Sequence, residues 1–361
     1  MGDNKTNILF LVPYPLGKAP SQRYRVEQFL PLLNKHHLTY RIEPFFTASE
    51  GELLYTAGNG LKKMINVLRG FARRFSLLLK GLNDYDYVFI HREAAPVGPP
   101  IIEWFLRWIL RKKIIYDFDD AIWMPDPSST GRLILFIKAQ WKVKWICRWS
   151  HRVVGGNDYL CEYARSYNQS VICIPTVIDM DLPAEKQKVH GMHRVVVGWT
   201  GSHSTLRFLD PLVPVLQRLQ QELVFDFLVI ADKDPRLQLN YYRFQPWSSE
   251  TEQSDLRQLD IGVMPLTADL WSEGKCGFKL IQYYVLGIPA LASPVGVNKT
   301  MIQSGATGFL CETASDWEGG LRQLIVSVEL RAKMGLEGHA RMKARYSLAA
   351  QQEPYLNLFC Q

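Results

Sequence analysis

The sequence predicts an α/β chain of two Rossmann-like domains with parallel sheets. Three observations carry this. Short apolar strands alternate with helical patterns along the whole 361 residues, which is the signature of parallel sheets covered on both faces. The alternation restarts after a polar, aperiodic stretch at 181–193 that reads as a linker. The length suits two domains of ordinary size, each able to bury a core.

In the first half, ILFLV (8–12) is a buried strand, and SQRYRVEQFLPLLNK (21–35) is a helix started by Pro20-Ser21. LTYRIEPF (38–45) and YDYVFIH (85–91) are strands, and 97–111 is a helix opened by prolines. KIIYDF (113–118), the long helix 133–150, strand 151–156, helix 157–167 and strand 170–179 complete the set. In the second half, strands fall at RVVVGWTGS (194–202), 225–231, 242–244, 261–265, 288–293 and 308–311. Helices fall at 203–221, 251–258, 277–286, 315–327 and 328–344, and a last helical stretch at 345–359. The expected boundaries are 1–182, 183–345 and a terminal segment 346–361.

Composition narrows the class. At 47% hydrophobic and 21% charged, the chain is that of a globular protein. No apolar run reaches the roughly 18 residues of a membrane span; the closest, 101–110, is interrupted by Glu103 and Arg107. The N-terminus lacks a signal-peptide pattern. Six scattered cysteines without a Cys-x-x-Cys pair read as reduced thiols, so a cytoplasmic location is expected.

Charge is uneven. Residues 1–180 carry 24 Lys/Arg against 16 Asp/Glu, a net +8, and the rest of the chain carries −1. Much of the excess lies in 61–81, which has no acid. Leu61, Met64, Ile65, Leu68, Phe71, Ala72, Phe75, Leu78 and Leu79 recur there at helical spacing, with Lys62, Arg69, Arg73 and Lys80 largely on the other side. Two readings fit: a helix whose apolar stripe packs into the core, or one lying on an anionic membrane surface. The first is the more usual use of such a stripe.

The chemistry concentrates in 274–296, GKCGFKLIQYYVLGIPALASPVG. It reads as a glycine loop, a helix, a Gly287-Ile288-Pro289 turn and a short strand. Lys275 and Lys279 flank the start of the helix, with Cys276, Gly277 and Phe278 between them. A helix N-terminus offers free N–H groups and a positive dipole end to an anion. A phosphate or diphosphate site follows. GWTGS (198–202) ends the first strand of the second half; Gly198, Thr200, Gly201 and Ser202 form a turn able to approach such a ligand. ILFLVPYPLG lacks Gly-x-Gly-x-x-Gly after its strand, which argues against a Rossmann oxidoreductase.

The same segment resembles the signature of the retaining nucleotide-sugar glycosyltransferases of family 4 (glycosyltransferase group 1), which have the GT-B fold. That signature has two spaced glutamates followed by small residues and Gly-x-Pro-Val. Gly287-Ile288-Pro289-Ala290 takes the Gly-x-Pro-Val place, Gln282 stands where the second glutamate usually sits, Gly274 where the first would be, and Glu273 lies one residue away. The resemblance implies transfer of a sugar from a nucleotide-diphosphate sugar, a UDP-sugar in first place and a GDP-sugar in second, to a glycan or lipid-linked acceptor. Lys279 would stabilise the departing diphosphate. Glu273 would reach a sugar hydroxyl, Gln282 the ribose, Pro246 and Trp247 the base, and Val295 and Gly296 the pocket wall.

By the same resemblance the first half holds the acceptor, with Gly17, Arg23, Arg25 and Glu93 near the cleft, and the last helix returns to the first domain. A structural role on the helix face fits Arg23 and Arg25 equally. The family carries a histidine at the strand end where this chain has YDFDDAIW (116–123). No histidine stands in that stretch, so Asp119 or Asp120 takes the role, as hydrogen-bond partner or proton acceptor. With Asp117, these make an Asp-x-Asp-Asp run that also suits a divalent cation. The GT-B class works without a bound metal, so no metal and no other cofactor is expected. No nucleic acid partner is expected, and nothing in the sequence sets the oligomeric state. A GT-B nucleotide-sugar epimerase and a non-catalytic nucleotide-sugar-binding protein are the alternatives.

Overall fold

A computed structural model of the chain describes residues 6–54, 58–125, 137–180 and 194–360. The chain divides into two compact units, Met1–Thr176 with Gln351–Gln361, and Val177–Ala350. The linker expected at 181–193 and the start of the helix expected at 133–150 lie outside the described residues.

The first unit holds β1 (Asn7–Val12), β2 (Thr39–Pro44), β3 (Tyr87–His91), β4 (Lys113–Phe118), β5 (Arg152–Gly155) and β6 (Val171–Cys173). They form one sheet in the order β2-β1-β3-β4-β5-β6, and every pairing is parallel. β3 is buried along its full length, as a strand covered on both faces must be. The chain moves one way from β1 to β2 and the other way to β3, so the switch point lies at the carboxyl ends of β1 and β3. Ligands of open α/β sheets gather at such points. The terminal segment completes this core: Tyr355 stacks on Phe29 at 3.8 Å, and Phe359 meets Phe10, Tyr87 and Phe89.

The second unit holds β7 (Val195–Gly201), β8 (Phe225–Ala231), β9 (Tyr242–Pro246), β10 (Ile261–Met264), β11 (Ala290–Ala292) and β12 (Gly308–Leu310). Their order is β12-β11-β10-β7-β8-β9, again all parallel. Here the switch point lies between β7 and β10. Two doubly wound parallel sheets are the expected fold class.

Proline and backbone geometry account for most departures from the expected elements. The helix at 21–35 is broken into Pro20–Arg25, a 3-10 turn Glu27–Phe29, and Leu30–Lys35, with Val26 out of helical geometry and Pro31 opening the last piece. The helix at 203–221 is a 3-10 segment His203–Leu209 followed by Val213–Glu222; Pro211 and Pro214 cannot donate to a continuous ladder. The strand at 170–179 shrinks to Val171–Cys173 ahead of Pro175, with Ile178 bridging Ser347. The long helix before β5 is interrupted at Ala139, which has φ +50°, and resumes as Lys142–Trp149. Short helices at Ala48–Leu54, Leu270–Glu273 and Asn298–Met301 have no periodicity long enough to predict them.

The largest correction is the basic helix, which spans Gly60–Leu79. Its buried residues are Asn66, Gly70, Arg74, Leu77 and Leu78. Arg74 is held inside by the carbonyls of Ala94 and Val12, and Gly70 lies against Phe45. Most of the apolar stripe expected in the core is in solvent, with Leu61 67% exposed, Leu68 61% and Leu79 82%, while Leu78 is buried and Phe71 half-buried.

One close contact fixes the second unit's central helix, Phe278–Val285. The long helix Val328–Tyr346 crosses it through Gly335 and Gly338. A Cβ on Gly335 would come 1.9 Å from the Gly287 carbonyl oxygen, and one on Gly338 would enter the Tyr284 ring. Only glycine permits this approach.

Candidate functional site

In the second unit, residues from several loops gather at the carboxyl end of the sheet. Gly277 has φ +68° and precedes the helix Phe278–Val285. A Cβ there would lie 2.3 Å from Met301 Sδ, so a glycine turn delivers the helix start with its N–H groups forward. Lys275 Nζ sits 3.4 Å from the centre of the Trp271 ring, and Lys279 Nζ 5.4 Å from that of Trp199 on β7. The Arg207 guanidinium lies over Trp271 as well, at 5.4 Å. Three cations thus border the β7 and β10 ends, held partly by attraction to indole faces. Arg207 was absent from the sequence-based candidates. Its only signal was a basic residue in the segment after the 198–202 turn.

Tyr283 ties the two strand ends together. Its hydroxyl accepts from the Thr200 N–H at 3.2 Å and donates to the Val263 carbonyl at 3.3 Å. Gly201 lies at the end of β7 against Trp199, and Ser202 follows, exposed. Gly198 lies within the strand, where a Cβ would run 2.1 Å from a Leu259 methyl. Its lack of a side chain is used for packing. His203 pairs with Asp232, Nδ1 to Oδ2 at 2.5 Å.

Glu273 binds the loop after β11. Its Oε2 accepts from the Gly296 N–H at 3.0 Å, and Oε1 lies 3.5 Å from Lys299 Nζ. Val295, beside Gly296, is buried, and so are Cys276 and Gln282. Pro246 ends β9, and the Trp247 indole N–H donates to Glu252 Oε1 at 3.1 Å.

The first unit brings together a different set at the ends of β1, β3 and β4. His91 and Asp117 are partners in the parallel register. His91 Nδ1 lies 2.8 Å from Asp117 Oδ2, and its Nε2 lies 3.0 Å from Ser21 Oγ. Arg25 closes the group from the other side: its guanidinium binds both Asp117 oxygens and donates to the Ile174 carbonyl. Arg25 is only 3% exposed. A histidine therefore does stand at this sheet edge, on β3 and not on β4. It was missed because pairing across strands is invisible in a linear motif.

Arg92, at φ +60°, turns back over the acidic run, 3.6 Å from Asp119 and 3.9 Å from Asp120. Glu93 binds the buried Lys142 at 2.6 Å. Burial pushes the Asp119 carboxyl up, but Arg92, then His91 and Arg25, with a Ser21 hydrogen bond, outweigh it and leave its pKa below the usual range. An ionised, depressed carboxylate accepts hydrogen bonds well and protons poorly. Gly17, φ +77°, donates its N–H to Glu27 at 2.9 Å, and Arg23 lies over the Tyr24 ring. Among the described residues, no three His, Cys, Asp or Glu side chains group as a metal would require.

Solved structures share this fold across nearly the full chain. Sucrose-phosphate synthase from Thermosynechococcus elongatus superposes with a TM-score of 0.73 at 14% identity, covering 98% of both chains. A glycosyltransferase from Rickettsia africae gives 0.68 at 14%, covering 99% of this chain and 98% of the other. Anabaena HepE, solved with UDP and glucose, gives 0.64 at 14%, covering 98% and 99%. At such identities the likeness is one of fold, the GT-B arrangement of two Rossmann-like domains. No family model matches the chain, and no curated protein does.

Proposed function

We propose that this chain is a retaining glycosyltransferase. It takes a nucleotide-diphosphate sugar, a UDP-sugar first, and transfers the sugar to a glycan or lipid-linked acceptor. One observation carries the reading. The Gly277 turn presents a helix N-terminus, flanked by Lys275 and Lys279 and approached by Arg207, at the switch point of a parallel sheet. That is a diphosphate site by charge, by the positive end of the helix dipole and by position.

In this reading the bond from the sugar's anomeric carbon to the diphosphate oxygen breaks, and the nucleoside diphosphate leaves with the electron pair. Lys279 and the helix N-terminus stabilise the charge it gains. The acceptor hydroxyl forms the new bond on the same face, and its proton passes to the departing phosphate. No covalent nucleophile, metal or other cofactor takes part. Gln282 replaces a carboxylate at the ribose, and Glu273 shapes the pocket through Gly296. On the acceptor's side, Asp119 accepts a hydrogen bond from a hydroxyl; Ser21, His91 and Asp117 position it. The HepE structure with UDP supports a uridine donor. We place the enzyme on the cytoplasmic side, working on surface polysaccharide or glycoconjugate.

Thermal unfolding with a panel of nucleoside diphosphates tests this, since a ligand of the native state raises the midpoint. UDP should raise it, and Lys279→Ala should reduce the rise. A panel in which no nucleoside diphosphate shifts the midpoint would overturn the reading.

A further inference from the structure

The helix Gly60–Leu79 packs beside Ile101–Trp108, which packs beside Lys142–Trp149. All three expose large apolar side chains: Leu61, Met64 and Leu68 on the first, Trp104 and Trp108 on the second, Trp141 and Trp145 around the third. Trp104, Trp141, Trp145 and Trp149 line an almost wholly apolar groove of about 300 Å³ with Ile101 and Pro99.

Basic side chains border this face. Lys62, Arg69, Lys80, Arg107, Lys144 and Arg148 are exposed. Arg107 lies over Trp108 at 5.2 Å, and Lys144 and Arg148 lie over Trp145 at 5.7 and 5.9 Å. The three helices carry one acid, Glu103, and it is buried, accepting from the Ala94 N–H. The helix Gly60–Leu79 buries Asn66, Gly70 and Arg74 beside Leu77 and Leu78, and leaves Leu61, Met64, Ile65, Leu68, Phe75 and Leu79 out. A globular-protein helix turns most of such a stripe inward.

We infer that this three-helix face docks on an anionic phospholipid bilayer, with the tryptophan groove taking the end of an acyl chain. The charge pattern selects this partner. Lysine is depleted at the core of protein–protein interfaces. Tryptophans with cations over their rings, and apolar side chains beyond them, match the headgroup–acyl boundary. Headgroup charge complements the basic rim. The inference goes beyond the transferase reading and stands without it.

The test mixes the full chain with vesicles of phosphatidylcholine alone, of phosphatidylcholine with phosphatidylglycerol, and of the second mixture with brominated acyl chains. Capture should need phosphatidylglycerol and fall at high salt, and brominated chains should quench tryptophan fluorescence. Leu68→Glu should weaken capture about tenfold. Trp104→Ser with Trp145→Ser should remove most of the quenching. These side chains are exposed, and an unchanged circular dichroism spectrum with a cooperative melt at the wild-type midpoint verifies that each variant is folded. Lys62→Gln with Arg69→Gln should weaken capture without touching the apolar stripe. Equal capture on neutral vesicles, no capture, capture without quenching, or unchanged behaviour of the variants would overturn the proposal. So would a dimer that Leu68→Glu dissolves while vesicles fail to bind. A wild-type chain that binds vesicles and no nucleoside diphosphate would sink only the transferase reading.

Discussion

His91 and Asp117 face each other across β3 and β4 at 2.8 Å, both buried, with the Arg25 guanidinium on the far side of the carboxylate. Two buried groups thus share one negative charge, and neither has water to replace it. Asp117→Asn leaves the Arg25 charge without its counterion, and a broken buried pair costs about 3 kcal/mol or more. Urea unfolding should show that loss. A midpoint within error of wild type would mean that the carboxylate is not what holds Arg25.

Lys279→Ala should weaken UDP binding about tenfold and lower turnover by about a hundredfold, since the lysine's largest effect comes when the diphosphate departs. Calorimetric binding and steady-state kinetics separate the two. Unchanged kinetics would take Lys279 out of the site.

Gly277→Ala forces an alanine to φ +68° and sets its methyl against Met301. We expect a loss of about 1–3 kcal/mol in stability and weaker nucleotide binding than that loss alone explains, because the helix start would shift. Binding measured well below the unfolding temperature distinguishes the two effects.

Asp119 titrates below its ordinary value of 3.8 in the folded state. A group depressed by folding contributes stability above its unfolded pKa and loses it as pH falls through the folded one. The contribution should be present above the unfolded pKa of about 4 and fall away progressively as pH drops through the lower folded value. Asp119→Asn should therefore flatten the acid limb of the stability curve and leave its slope near neutrality unchanged. A steeper acid limb would contradict the assignment.

Chelation by EDTA should leave sugar transfer intact. A requirement for a divalent cation would return the Asp117–Asp120 run to consideration as its site.

Much of the fold was legible because buried parallel strands are short continuous apolar runs, and turn residues separate them. KIIYDF and FDFLVIA announce themselves in this way. What was not legible depended on partners far away in sequence. Nothing in the Asn66–Gly70–Arg74 spacing says that the polar side of that helix finds the Val12 and Ala94 carbonyls inside. Likewise nothing in GWTGS says that Gly198 makes room for Leu259. In the site, Lys275, Gly277 and Lys279 could be read locally because one turn carries all three. Arg207 and His91 could not, because each reaches its neighbours through the sheet order.

The terminal segment bears on how the chain is made. Tyr355 and Phe359 belong to the core of the first unit, yet the ribosome adds them after the whole second unit. While residues 177–350 are being synthesised, Phe10, Phe29 and Phe89 lack the aromatic rings that cover them. The first unit therefore cannot close in order of synthesis, as N-terminal domains commonly do. Its maturation waits on residues made after the second unit, and in that interval its uncovered aromatics are the surface a chaperone would meet.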